Sequence, residues 1–181
     1  MVAKKTQIHG FSDASGTSYG CVVYLRTPRC KECPQGDVLF VMAKARLVPL
    51  NSPLRNKDPL NTTPKLELMG ILLLANLMEC CIIDLKLPKE TEKFLWSDST
   101  TALQWLSSNE TKDVFVFNRV RAIREISAGA VARHVGTKRN PADIVTRQQN
   151  AEDFLKCSMW WKGPDWPPDV HDWGGWRYIL A

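Results

Sequence analysis

The chain has 181 residues, 44% of them hydrophobic, and a formal charge of +5. That length suits one domain with a real core and is cramped for two. The most apolar stretch, Leu66 to Leu87, is broken by Glu67, Asn76, Glu79 and Asp84, and the N-terminal MVAKKTQ has no apolar run behind its lysines. Neither a membrane span nor a secretory signal is expected, and an intracellular setting follows.

Ile8 to Asp13 reads as a strand, with turn residues Ser15, Gly16 and Thr17 behind it. Tyr19 to Leu25 reads as a second strand, apolar on both faces and therefore buried, and Val38 to Arg46 as a third, giving an antiparallel meander. Between the last two lies Cys30-Lys31-Glu32-Cys33, flanked by Pro28, Pro34 and Gly36. The spacing is that of half a zinc site, but no second pair completes four ligands, and a turn between two strands is the expected reading. With Cys21, Cys80, Cys81 and Cys157 scattered elsewhere, the six cysteines form no disulfide framework and are expected to be reduced.

After a loop over 49–62, Thr63-Pro64 reads as a helix start, since threonine caps and proline is tolerated at the first position. The helix is expected to reach about Asp84, with Leu66, Met69, Leu73, Leu77 and Cys81 on its buried face and Glu67 in its first turn. Lys93 to Ser97 follows as a strand, then a short helix from Thr100 to Leu106. A second amphipathic helix spans Val114 to Ser127, with Val116, Val120 and Ile123 on one face and Arg121 and Arg124 pointing away. Val131 to Val135 is the fifth strand, and Asn140-Pro141 starts a last helix with Asp143 in its first turn. The order βββαβααβα predicts an α/β fold, a five-stranded mixed sheet flanked by helices.

From about residue 151 the composition changes. Trp160, Trp161, Trp166, Trp173 and Trp176 crowd the C-terminal segment with Pro164, Pro167 and Pro168. Exposed indoles could stack on bases, whereas a tail wrapped over residues 1–150 would bury them; the expectation is an extension, 151–181, packed on the domain. Between Arg119 and Arg147 seven basic residues (Arg119, Arg121, Arg124, Arg133, Lys138, Arg139, Arg147) face only Glu125 and Asp143. Such an excess is either a solvated face or a track for a phosphate backbone.

Four acidic residues stand where a strand ends or a helix begins: Asp13, Glu67, Asp98 and Asp143. Each has a local explanation. Asp13 could bond turn amides, Glu67 and Asp143 could oppose a helix dipole for about 0.3–1 kcal/mol, and Asp98 could serve a capping region. Together they are harder to explain locally. If the strands ending at Asp13 and Asp98 are neighbours and two helix starts reach the same edge, four carboxylates converge and repel unless Mg²⁺ or Mn²⁺ lies between them.

The segments FSDAS with YGCVVYLR, AKARLVPL, TPKLELMGILLLANL, LWSDSTTALQWL, VFNRVRAIREI, HVGTKRNPADIVTR and WWKGPDW, in that order, resemble the ribonuclease H domain of BEL/Pao-type retrotransposon reverse transcriptase polyproteins across about residues 8–166. The resemblance implies a ribonuclease H-like fold whose four acidic positions fall on Asp13, Glu67, Asp98 and Asp143. It implies two Mg²⁺ ions, with Mn²⁺ as a substitute, one activating the attacking water and the other stabilising the leaving 3′ oxygen. The implied activity is endonucleolytic hydrolysis of the RNA strand of RNA/DNA hybrids during reverse transcription, in a cytoplasmic particle or the nucleus, with polymerase and integrase domains of the same polyprotein as partners. Ser15, Ser99, Thr100, Arg121, Arg124, Lys138 and Arg139 stand at positions suited to the substrate. The loop before the last aspartate, Gly136 to Asn140, lacks the histidine that many cellular relatives carry, and His134 before it, like His9 and His171, reads as structural. Slow turnover is expected. The alternative is a nucleic-acid-binding module, derived from a retroelement, that kept the fold without the chemistry; an integrase-like strand transferase fits the acidic order less well.

Overall fold

The computed structural model describes residues 5–27, 36–55, 59–108, 110–147, 149–166 and 177–180. The chain opens with β1 (Gln7–Ala14), β2 (Ser18–Arg26) and β3 (Val38–Leu47), then α1 (Pro59–Asp84), β4 (Glu92–Ser97), α2 (Thr100–Ser107), α3 (Val114–Ile126) and β5 (Val131–His134). A 3-10 turn, Thr137–Arg139, leads to three short helices, α4 (Asp143–Thr146), α5 (Ala151–Lys156) and α6 (Ser158–Lys162), and to a closing strand β6 (Arg177–Ile179). The sheet runs β3-β2-β1-β4-β5-β6. Its centre, β1, β4 and β5, is parallel, and β2, β3 and β6 are antiparallel to their neighbours.

The mixed sheet and the opening meander are as the sequence predicts, but the described residues form six strands rather than five. Three residues are too few to display a period, and β6 forms because the outer edge of β5 offers it a hydrogen-bonding ladder. The Cys30–Cys33 pair, His171, Trp173 and Trp176 lie outside the described residues.

Helix α1 departs from expectation at its start. It begins at Pro59, so Pro64 lies inside it and Glu67 is two turns in rather than in the first. Pro59 is as admissible at a first helical position as Pro64, and the local rule cannot choose between them. The buried stripe also shifts: Leu68, Ile71, Leu74, Ala75 and Met78 are buried beside the expected Leu66, Leu77 and Cys81, whereas Met69 and Leu73 are only partly covered. Leucines nearly encircle this helix, which blurs the period that would orient it. By length and composition α1 could cross a bilayer; here its apolar residues join the core formed with β1, β2, α2 and α3. On α3, Val116, Val120 and Ile123 are buried as expected, and Asp113 caps the helix by accepting from the amides of Phe115 and Val116.

The opposite face of the sheet is aromatic. Phe11, Tyr24, Phe94 and Trp96 form a buried layer with Trp160, and Trp166 packs against them from the tail. The Trp166 ring lies edge-on to His9, Phe11 and Tyr24 at 4.7–6.2 Å. Such pairs add about 0.5–1.5 kcal/mol each beyond area burial. The Tyr24 hydroxyl donates to the Trp160 carbonyl at 2.6 Å, while Trp161 stays exposed.

His9 is fully buried in this layer, stacked on Phe94 at 4.8 Å. Its Nδ1 accepts from the Trp96 indole at 3.2 Å, which leaves the proton on Nε2, facing Gln7. Burial, and next the charges of Arg26 and Arg133, hold its pKa well below 6.5. The unfolded chain therefore takes up a proton that the folded one refuses, so this contribution to stability is present above pH 6.5 and lost as pH falls below it. Urea denaturation of the wild type between pH 7.5 and 5.5 is expected to lose up to about 1.4 kcal/mol per pH unit more than that of His9→Gln. Equal losses in the two proteins would refute the assignment.

Candidate metal centre

Strands β1 and β4 pair in parallel register, ending at Ser12 opposite Ser97. The next residues are Asp13 and Asp98, so the two carboxylates leave the same rim of the sheet side by side. Helix α1 crosses β1 at Gly70, where a Cβ would come within 3.2 Å of the Asp13 carbonyl oxygen. The absent side chain lets the helix sit close, and one turn earlier Glu67 reaches the strand end and accepts from the amide of Ala14. One oxygen from each of Asp13, Glu67 and Asp98 lies within 4.8 Å of the others.

Asp13 and Glu67 are buried, and Asp98 is half-buried. Burial, against a hydrogen bond from Thr146 and with repulsion from Asp98 and Asp143, raises the Asp13 pKa to about 6. Burial and repulsion from Asp13 and Asp98 raise that of Glu67 to about 9. Glu67 Oε2 makes no hydrogen bond among the described residues. Two like charges about 4 Å apart repel by roughly 4 kcal/mol at an effective dielectric constant of 20. A set of oxygen donors with one buried lone-pair centre unsatisfied fits a hard divalent cation.

Asp143 comes to the same rim on α4. Asn140 fixes the approach: its side-chain amide donates to the Ser12 carbonyl at 3.0 Å, and its Oδ1 accepts from the amide of Ala142. Asp143 is near enough to act on Asp13, but its oxygens are not among the three clustered ones; Oδ1 accepts from Arg147 Nε at 2.7 Å. Three further side chains reach the same rim: Thr146 and Thr137, not singled out from the sequence, and Arg147, named there only within the basic excess. Thr146 donates to Asp13 Oδ2, Thr137 donates to Asp98 Oδ2 at 2.8 Å, and Arg147 holds Asp143. The spacing 143, 146, 147 puts Thr146 and Arg147 on the helical face of Asp143 and could have found two of them; nothing local marks Thr137.

The predicted substrate positions divide. Lys138 and Arg139 are exposed in the 3-10 turn next to Thr137, and Arg139 donates to the Asp165 carbonyl at 3.2 Å. Thr100 is exposed at the start of α2, one residue after Ser99, whose hydroxyl caps that helix by accepting from Ala102. The Ser15 hydroxyl is engaged within the β1–β2 turn with Ser18. Arg124 donates to the carbonyls of Leu106 and Ser108 and so closes the end of α2, and Arg121 pairs with Glu125 on the exposed side of α3. His134 ends β5 opposite Ser97.

Comparison with known proteins bears on the family and the fold. A sequence profile described as Pao retrotransposon-like RNaseH-like domain matches residues 1–99. No curated protein sequence matches. Among solved structures, LC9-RNase H1, described as a type 1 RNase H with the type 2 active-site motif, aligns with a TM-score of 0.51 and 9% identity over 95% of this chain and 92% of its own. The N-terminal RNase H domain of a Mycobacterium tuberculosis protein aligns with a TM-score of 0.48 and 13% identity over 75% and 86%. RNase H1 from Halobacterium salinarum gives 0.44 and 11% over 75% and 88%. The profile covers more than half of the sequence, including Asp13, Glu67 and Asp98, and the chain belongs to the Pao retrotransposon-like RNase H-like domain family.

Proposed function

We propose that the chain is a divalent-metal-dependent endonuclease that hydrolyses the RNA strand of RNA/DNA hybrids. The observation that carries the reading is the convergence of the buried Asp13 and Glu67 with the half-buried Asp98, Glu67 Oε2 making no hydrogen bond among the described residues. Those three would hold Mg²⁺, for which Mn²⁺ can substitute, and Asp143 would complete the set. When bound, the metal supplies Lewis acidity toward a phosphodiester and acidifies water near neutral pH. The protein's own part is positional. Thr146 and Thr137 fix the carboxylates of Asp13 and Asp98, and Asn140 ties the turn before α4 to β1.

Hydrolysis forms a bond from water oxygen to phosphorus and breaks the bond to the 3′ oxygen, leaving 3′-hydroxyl and 5′-phosphate ends. Discrimination would rest on 2′-hydroxyls and strand geometry rather than base edges, with Lys138 and Arg139 placed for the phosphate backbone. Residues 151–181 serve as a cover on the catalytic unit 1–150, a reading supported by the pairing of β6 with β5 and by Trp166 against His9 and Phe11. The protein would act in reverse transcription beside the polymerase and integrase domains of its polyprotein, in a cytoplasmic particle or the nucleus.

A labelled hybrid incubated with Mg²⁺ or Mn²⁺ should lose its RNA strand while duplex DNA stays intact. Asp98→Asn should lower the rate by more than the roughly 10–100-fold typical of losing an outer partner of a metal ligand. Mn²⁺ binding without cleavage of any hybrid would instead support a retained binding module.

Metal removal gives a second check. Because the folded pKa of Glu67 lies above its ordinary value of 4.5, the folded chain holds a proton that the unfolded chain releases. Its stabilising effect is present below pH 4.5 and lost as pH rises through about 9. In EDTA the melting temperature of the wild type should fall between pH 7 and 10 more than that of Glu67→Gln. Mg²⁺ at about 100 times its Kd should restore the wild type by about 2.7 kcal/mol and the variant by less.

A further inference from the structure

Among the described residues, the fourth carboxylate differs from the other three in being ion-paired already. Asp143 Oδ1 is paired with Arg147 Nε at 2.7 Å, the Asp143 side chain mostly covered and that of Arg147 62% exposed. The pair lies on one short helical turn, so it requires no distant element to hold it. Exposed ion pairs of this i, i+4 kind are weak and exchange readily. Among the described residues neither terminal nitrogen of Arg147 makes a hydrogen bond, so the planar fork that matches phosphate as well as carboxylate is largely unused. Thr146 connects this turn to the cluster, its hydroxyl bonded to Asp13 and to the Asp143 carbonyl. A movement of Arg147 would therefore free Asp143 without dismantling Asp13, Glu67 and Asp98.

We infer that Arg147 is an internal counter-ion that withholds Asp143 from metal in the free protein. The three clustered carboxylates then take one divalent ion, and Asp143 becomes available to a second when a nucleic-acid phosphate draws the guanidinium away. The inference rests on the proposed metal centre and adds an order of events to it: one ion before substrate, the second with it. It also makes Arg147 a positioning residue rather than a catalytic one, because it acts through Asp143.

The test is Mn²⁺ binding to the full metal-free chain, followed by calorimetry and by the electron paramagnetic resonance signal of free ion. Wild-type protein is expected to bind one ion tightly and a second weakly. Arg147→Gln should tighten the second roughly tenfold, the scale of removing one nearby positive charge at a partly exposed site, and the first by less, since the Arg147 charge reaches Asp13 but its hydrogen bond is to Asp143. Arg147→Lys, which keeps the charge, should behave as the wild type. An RNA/DNA hybrid made uncleavable by 2′-O-methylation should tighten the second ion in the wild type more than in Arg147→Gln. Asp143→Asn in the Arg147→Gln background should abolish the tightened second ion. Circular dichroism verifies that the variants fold. Identical affinities for both ions in wild type and Arg147→Gln would overturn the role of Arg147 while leaving the metal centre standing. Failure of both proteins to bind any Mn²⁺ would overturn the metal centre, and this inference with it.

Discussion

The parallel pairing of β1 with β4 is the constraint on which the candidate site depends. The pairing of two strands separated by β2, β3 and α1 ends at Ser12 opposite Ser97, and the residue after each is an aspartate. A slip of one residue would turn one of those side chains to the other face of the sheet. Register is held by what lies on the two faces, leucines of α1 on one and Phe11, Phe94 and Trp96 on the other. The packing is therefore what makes electrostatic crowding at the rim possible. A parallel sheet covered on both faces has little freedom to relax it.

Crowding also explains the small polar groups around the rim. Thr146, Thr137 and Asn140 are uncharged, short and bonded to backbone or carboxylate. They orient the acids without neutralising them. A lysine in any of these places could pair with a carboxylate and relieve the repulsion, at the expense of affinity for a divalent ion. Among the described residues Arg147 is the cation that does reach the rim, and it does so from the exposed side, through an interaction that water and salt can weaken.

Much of the fold was legible in the sequence, and the unread parts have identifiable causes. Strands with a clear apolar pattern, such as Phe94 to Trp96, and α3, with Val116, Val120 and Ile123 on one face, were placed nearly to the residue. The start of α1 was misplaced because two prolines compete for the same local role, and its buried face because leucines occupy nearly every direction around it. Strand β6 carries no period of its own and exists through its neighbour. At the site, the acidic residues were visible because carboxylates at strand and helix ends are conspicuous, whereas Thr137 and Thr146 look like any threonine until the chain is folded. Arg124 was read as a candidate for substrate, yet it bonds the last carbonyls of α2; a basic residue on a helix looks the same in sequence whether it caps a neighbour or faces solvent.

The bond from Asn140 to Ser12 joins residues 128 positions apart in sequence. It fastens the last part of the rim to the first strand, so the acidic rim cannot be complete until the chain has been synthesised and folded as far as α4. Loop closure over that distance is slow compared with forming local helices. A nascent chain emerging from the ribosome would thus carry the individual acids long before it had the coordination geometry. Ion affinity would arise late and cooperatively, as a sign that the topology had closed.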